Sequence, residues 1–330
     1  MKVLKNSEIN KNEWEKFLEL SSFSSPFHTS KFYEFFNSVT GLSANVYAVE
    51  ESNQLRSLCV VTFQKEKGLK AFFSRRAIIY GGPVIANNDK RVLARLLEAI
   101  SKDLKGKTIY IETRNFNDYT SFNDVFVESG WEFEPYLNFE LDCSNEEQVN
   151  KNLNTNRKRQ IKKALKSGTT LESAKNLKEV EEYYGILKDL YKNKIKKPLF
   201  DLEFFQKFFE KKLGEILLVK NNNKIIGGIV CPILKGKAIY ELYICGLDSE
   251  YKEQSPSVMA TYAAIEYGFK NGFKKFDFMG AGKPNEDYGV RDFKEKFGGE
   301  LKEYGRYIKV NNVLLFNIGK LALKILKRMK

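Results

Sequence analysis

The densest run of chemistry-bearing residues lies between Phe276 and Glu300. It reads Asp277-Phe278-Met279-Gly280-Ala281-Gly282-Lys283-Pro284, then Tyr288-Gly289-Val290-Arg291-Asp292-Phe293-Lys294, then Phe297-Gly298-Gly299. An apolar strand runs into a glycine-rich loop and then into a basic, aromatic helix. Loops beyond the carboxyl ends of strands are where α/β proteins hold ligands. Glycines let backbone approach a phosphate or acyl group closely, and Lys294, expected to face ligand or solvent, offers a cation to a phosphate or an oxyanion. The same residues also suit a tight turn followed by a solvated lysine. His28 is the single histidine, so a Ser-His-Asp triad or a multi-histidine metal site would have to rest on one residue. A general base would then be a carboxylate (Asp292 or Glu241), a tyrosine or the substrate itself. His28 precedes an apolar helical stretch and reads as a capping or packing residue. Ser255 and Ser257 read as helix caps rather than nucleophiles.

Charge narrows the partners. The chain has 330 residues and a formal net charge of +13. Lys151–Ser167 and Tyr304–Lys330 each hold seven basic residues and no acidic one, and together they carry the whole excess. Such patches suit an anionic partner, whether nucleotide-linked phosphate, RNA or a membrane surface; two solvated helix faces are the plainer reading. Cys59, Cys143, Cys231 and Cys245 are widely spaced with no CxxC pair. They read as buried free thiols in a reducing compartment, and no metal site is expected. No apolar run is long enough to span a bilayer and the N-terminus has no export signal, so a cytoplasmic protein is expected.

The elements that would position these residues recur in two halves. Helical stretches at 12–20 and 30–38 precede strands at 44–49, 55–64 and 77–84. A helix at 89–104, a strand at 108–113, a helix near 121–129 and a long strand region at 132–142 follow. The second half opens with helices at 146–167, 177–193 and 201–213. A meander of strands at 215–220, 224–233 and 238–245 comes next, then helix 257–271, strand 273–279, helix 289–296 and a last strand at 300–310. Domains are expected at 1–145 and 146–309, with a basic amphipathic helix at 310–330. In that helix Leu314, Ile318, Leu321 and Ile325 share one face, away from Lys320, Lys324 and Lys327. The face is expected to pack on the first domain; an interfacial anchor on an anionic membrane is the alternative.

Asp277-Phe278-x-Gly280-x-Gly282 followed by Phe293-Lys294-x-x-Phe297-Gly298-Gly299 resembles the C-terminal domain of the Fem aminoacyl- and peptidyl-transferases (FemA, FemB, FemX). So does the helix Asn156-Arg157-Lys158-Arg159-Gln160-Ile161-Lys162-Lys163-Ala164 leading to Gly168. Lys224-Ile225-Ile226-Gly227-Gly228 and Ile239–Gly246 are similar to strands of the same domain. Ser74–Pro83 and Thr113-Arg114-Asn115 are similar to a first-domain variant. The resemblance covers nearly the whole chain. It implies an α/β protein of two tandem acetyltransferase-like (GNAT) domains, each a mixed sheet flanked by helices, with the C-terminal helix returning to the first domain.

In activity the resemblance implies transfer of an amino acid from aminoacyl-tRNA to an amine of a UDP-linked or lipid-linked peptidoglycan precursor, without metal or DNA. Lys294, beside Phe293, maps to the catalytic position. Arg157, Arg159, Lys162 and Lys163 map to phosphate contacts, and Tyr240 or Tyr243 to the acceptor border; Arg114 and Arg291 join the substrate-binding candidates. Where better-known members carry a Trp and a Lys, this chain reads Phe32-Tyr33-Glu34-Phe35-Phe36, and the long helical arm of some Fem proteins has no counterpart. A GNAT-type transferase using another acyl donor in surface-polymer or lipid synthesis is the rival. Acetyl-CoA usually needs a glycine-bearing loop at a helix N-terminus, yet that point reads Lys252-Glu253-Gln254-Ser255-Pro256-Ser257-Val258, so acetyl-CoA is disfavoured. A non-catalytic RNA- or membrane-binding protein is the third reading.

Overall fold

The computed structural model describes residues 1–64 and 75–328, with backbone alone from 322. Ser74, which opens one of the motifs above, and the side chains of Lys324, Ile325 and Lys327 lie outside the described residues. The chain begins with β1 (Lys2–Lys5), α1 (Lys11–Leu20), α2 (Ser30–Ser38), β2 (Leu42–Glu51), β3 (Gln54–Gln64), β4 (Arg76–Gly81) and β5 (Val84–Ile85). It continues with α3 (Lys90–Leu104), β6 (Tyr110–Asn115), α4 (Asn123–Glu128) and β7 (Glu132–Glu134). Then come β8 (Asn138–Asp142), α5 (Glu146–Asn152), α6 (Thr155–Lys166), β9 (Thr169–Ser173), α7 (Leu177–Leu190) and α8 (Leu202–Glu210). The meander is β10 (Gly214–Asn221), β11 (Lys224–Leu234), β12 (Ala238–Tyr240) and β13 (Tyr243–Gly246). The chain closes with α9 (Pro256–Lys270), β14 (Lys275–Asp277), α10 (Gly289–Glu295), β15 (Glu300–Lys302), β16 (Arg306–Val310) and α11 (Val313–Arg328).

Two compact units result, one of Met1–Pro135 with Tyr304–Lys330 and one of Tyr136–Glu303. Each is built on a mixed eight-stranded sheet, ordered β1-β2-β3-β4-β6-β16-β7 with β5 on β3, and β15-β8-β14-β12-β11-β10-β9 with β13 on β11. The expected boundaries therefore move. The strand region expected at 132–142 is cut at Pro135, which has no N–H to donate to a ladder, so β7 joins the first sheet and β8 the second. The strand expected at 300–310 is cut at Gly305, whose φ of +62° turns the chain out of one sheet and into the other. The helix expected at 146–167 also breaks, because Asn154 accepts the Asn156 N–H and starts α6 anew.

In the first unit α3 buries Val92, Leu93, Leu96, Leu97, Ile100 and Leu104, a helix-spaced stripe laid against alternating residues of β2 and β3 such as Tyr47, Val49, Cys59 and Val61. The returning β16 seals the far side, its Tyr307 stacked 3.8 Å from Phe126. Phe32, Phe35 and Phe36 are buried on α2, so that stretch is core. His28 is a brace. Its Nδ1 accepts the Ser25 N–H at 2.9 Å, which leaves the proton on Nε2 to donate to the Gly82 carbonyl at 2.8 Å. The four cysteines are buried free thiols, with Cys59, Cys143 and Cys245 pushed up by burial.

α11 starts where expected, on the first unit. Asn311 Nδ2 donates to Leu104 O and Thr108 Oγ1, and the Phe316 ring meets Tyr110 edge-on at 5.3 Å. Of its expected apolar face, however, the three described side chains stay exposed. Leu314 is 71% exposed, Ile318 45% and Leu321 58%. The helix is apolar on a second side as well, and Phe316 of that side is the one seated on the sheet.

Burial drives the His28 pKa from 6.5 down to about 4. The folded state thus holds the neutral ring, and its contribution is full above pH 6.5 and lost as pH falls through about 4. Denaturation of wild type and His28→Asn across pH 4–7 should give a stability difference that narrows steadily below pH 6.5. A difference independent of pH would show that the ring protonates freely in the folded protein.

Candidate functional site

The glycine-rich loop sits in the second unit, at the carboxyl end of β14. Just there the sheet splits. β12 pairs with β14 through Tyr240 and Asp277, and the Glu241 N–H still reaches Asp277 O at 2.8 Å. Two residues later β13 follows β11 alone, so among the described residues its other edge has no strand partner, while β14 ends and the loop departs. A wedge opens between the two.

A polar lattice holds the loop's root. Asp277 Oδ1 accepts the Met279 N–H at 2.8 Å and Asn138 Nδ2 at 2.9 Å, and Asn138 Oδ1 takes the Gly280 N–H at 2.7 Å. Leu137 bonds Ala281 and Gly282 through its carbonyl and its N–H. Asp277 is fully buried, with Lys275 Nζ 3.7 Å from Oδ2. Burial pushes its pKa up to about 6; Lys275 opposes this and Glu140 adds to it. Gly282, at φ +81°, lies where a Cβ would come within 2.7 Å of the Tyr288 ring, so a side chain there would displace that tyrosine.

Lys294 is the hub. Its ammonium donates to Phe278 O at 2.6 Å and Gly280 O at 2.9 Å and pairs with Glu241 Oε1 at 2.9 Å. All three protons have acceptors, and the residue is 7% exposed. The expectation that Lys294 faces solvent or ligand is therefore corrected: a buried ammonium needs a full set of acceptors, and the frayed end of β14 supplies two. Glu241, 5% exposed, is committed to this pair, with Thr261 Oγ1 at 3.4 Å from its other oxygen. Asp292 is exposed on α10.

The other candidates separate into clamps and open cations. Arg157 is buried, its guanidinium 4.5 Å from the Phe293 ring and 4.9 Å from that of Phe297, and it donates to Phe293 O at 3.1 Å. It ties α6 to α10 rather than facing a phosphate. Arg291 tethers the loop in the same way, through the carbonyls of Ala281, Lys283 and Pro284. α6 turns Arg157, Ile161 and Ala164 inward, at helical spacing. That arrangement leaves Lys158, Arg159, Lys162, Lys163 and Lys166 exposed, with Lys163 meeting Glu253 at 3.0 Å. Arg114 belongs to the first unit, where its Nε lies 3.2 Å from Glu112. Burial pushes the Glu112 carboxyl up, but Arg114 and Arg306 outweigh it and hold the group below its ordinary value.

Of the two tyrosines, Tyr240 is buried and Tyr243 is half-buried beside the wedge. The Tyr243 ring packs 5.9 Å from Tyr191, 5.4 Å from Phe205 and 6.4 Å from Phe200. Tyr191 opens a π-helical turn, Tyr191–Ile195, that carries Lys192 and Lys194. The sequence reading missed this turn. Its trace was a helical pattern running to 193 without a cap, and π turns gather at functional sites.

At the start of α9, where a CoA pyrophosphate would be cradled, Asp248 accepts the Ser257 N–H at 3.0 Å and the Ser257 hydroxyl. A carboxylate of the chain already caps that helix. Ser257 is thus a donor to the cap, and Ser255, at φ +45°, makes no capping bond of its own. Among the described residues no group of three His, Cys, Asp or Glu side chains converges as a metal site would require.

Residues 151–295 match the family described as the acetyltransferase (GNAT) domain. The crystal structure of FemX superposes with a TM-score of 0.75 at 16% identity, covering 96% of this chain and 99% of that one. The C-terminal domain of a putative lysylphosphatidylglycerol synthetase from Agrobacterium fabrum gives 0.60 at 13% identity, with 95% and 94% covered. A tandem GNAT protein from the clavulanic acid pathway gives 0.57 at 7%, with 94% and 99% covered. The chain thus has a FemX-like, tandem GNAT fold. None of the curated proteins matches it in sequence.

Removing one partner of a buried ion pair leaves the other charge uncompensated, at a cost of about 3–5 kcal/mol. Lys294→Met and Glu241→Gln should each destabilise the protein, and the double variant should lose clearly less than the sum. Urea titrations of the four proteins measure this. Strict additivity would mean the pair contributes nothing.

Proposed function

We propose that the chain is an aminoacyltransferase that moves an amino acid from aminoacyl-tRNA to an amine of a peptidoglycan precursor. The observation that carries the reading is the FemX-like fold over 96% of the chain, met independently by the loop and Phe293-Lys294 motif of α10. The wedge between β13 and the glycine-rich loop is the reaction site on this reading. There the acceptor amine attacks the ester carbonyl carbon. The C–N bond forms as the ester C–O bond breaks, and the amine proton passes to the leaving ribose oxygen, which departs as a hydroxyl. The exposed cations of α6 suit a phosphate backbone, whose binding then weakens with salt.

Lys294 acts here chiefly as a positioning residue. It fixes two loop carbonyls and Glu241, and reaches a developing oxyanion only by giving up one of these acceptors. Phe293 lends its carbonyl and ring to Arg157, which sets the orientation of α10. Acetyl-CoA is disfavoured as donor because Asp248 occupies the α9 N-terminus, where a second anion would meet a carboxylate.

Labelled alanyl-, glycyl- and seryl-tRNA incubated with nucleotide-linked and lipid-linked precursor should yield an aminoacylated precursor, while calorimetry with acetyl-CoA at micromolar concentration shows no heat. Arg159→Gln/Lys162→Gln should raise the KM for charged tRNA by about 10-fold with kcat little changed. Stoichiometric acetyl-CoA binding with no transfer from any charged tRNA would overturn the reading in favour of another acyl donor.

A further inference from the structure

We propose that α11 docks this protein on an anionic membrane surface, laying its outward apolar stripe into the boundary between headgroups and acyl chains. The inference stands apart from the identity of the donor. Its root is fixed, through Asn311 to Leu104 and Thr108 and through Phe316 to Tyr110. Asn312 caps the helix by accepting the Leu315 N–H at 2.9 Å. From that anchored side the stripe points away, with Val313 64% exposed and Leu314, Ile318 and Leu321 exposed in register at helical spacing.

Charge selects the occupant. From Val313 to the last residue the sequence has Lys320, Lys324, Lys327, Arg328 and Lys330 and no acidic residue. Lys320 is exposed, with its Nζ 4.5 Å above the Phe316 ring, beside the stripe. A second copy of the chain meeting this face would oppose lysines to lysines, whereas anionic lipid complements both the apolar stripe and its basic border. Sixteen residues make a helix about 24 Å long, and among the described residues no helix is long and apolar enough to cross a membrane. The arrangement fits a helix lying in the interface plane. An acyltransferase held this way works on acceptors presented at the bilayer surface.

The test uses the full chain and vesicles of phosphatidylcholine, alone or with 30% phosphatidylglycerol (a composition on the order of an anionic leaflet). Partition should favour the anionic vesicles by at least about 10-fold and fall as salt rises. Leu314→Asp/Ile318→Asp should lower it by about 10-fold or more with the melting midpoint unchanged, because both side chains are exposed. Lys320→Gln, a milder change, should lower it about 5-fold. Ile318→Trp should shift its emission to the blue on anionic vesicles alone, against a background of two buried tryptophans, Trp14 and Trp131. Equal partition of wild type and both variants would overturn the proposal. So would a concentration-dependent dimer that the Asp variant abolishes while vesicles bind neither protein, which would assign the face to a second copy.

Discussion

A buried ammonium without acceptors would cost several kcal/mol and would be expelled or neutralised. Lys294 avoids both because the sheet frays beside it. β14 stops at Asp277, and the next carbonyls, which a longer strand would have used in a ladder, turn toward α10 and take two of its protons. The dependence runs both ways. A loop of Phe278, Met279, Gly280, Ala281 and Gly282 cannot satisfy its own backbone in a split sheet, so the ammonium and the Asp277–Asn138 pair hold it in place. Glu241, at the point where β12 and β13 bend apart, completes the charge. The loop, α10 and the end of β12 are thereby tied to one another through a single ammonium.

The same economy explains why several conspicuous cations are turned inward. Arg157 lies against Phe293 of α10 and Phe297 just beyond it, and Arg291 is laced to three loop carbonyls. Each uses the planar, multi-donor geometry of a guanidinium that a lysine lacks. Once these are assigned to holding the site together, the cations of the basic helix that stay exposed to a ligand's phosphates are Lys158, Arg159, Lys162, Lys163 and Lys166. A charge count in sequence cannot separate the two groups.

Much of the fold was legible because it rests on periodicity. The stripe on α3 from Val92 to Leu104 and the meander broken at Asn221-Asn222-Asn223 are local signals, and the structure keeps both. Two long strands were misread because nothing in hydrophobic alternation says that a strand changes sheet; Pro135 and Gly305 carried that information as single residues. β9 was missed, being short and half-polar, and its pairing to β10 is a tertiary fact. At the candidate site the motif was visible but its geometry was not. Lys294 finds its acceptors 14 and 16 residues upstream, on backbone carbonyls that leave no mark in sequence. Likewise, the choice of Tyr243 over Tyr240 depended on where β12 gives way to β13.

Asp248 shows how one side chain can occupy a helix N-terminus that would otherwise be open to an anion. A helix N-terminus carries unsatisfied N–H groups and a positive end, and it binds an anion wherever one is available. In α9 the anion is supplied from within: one Asp248 oxygen takes the Ser257 N–H and the other its hydroxyl. Gly246 lies against the same turn, where a Cβ would come within 2.5 Å of the Ser257 nitrogen, so strand and helix meet with no room between them. A pyrophosphate entering there would have to displace a hydrogen-bonded carboxylate and push apart a closely packed strand and helix. Among the described residues no strand pairs with the other edge of β13, and the exposed cations of α6 lie in the same unit. Within this unit the α9 N-terminus is thus capped from within, while the cations of α6 stay exposed.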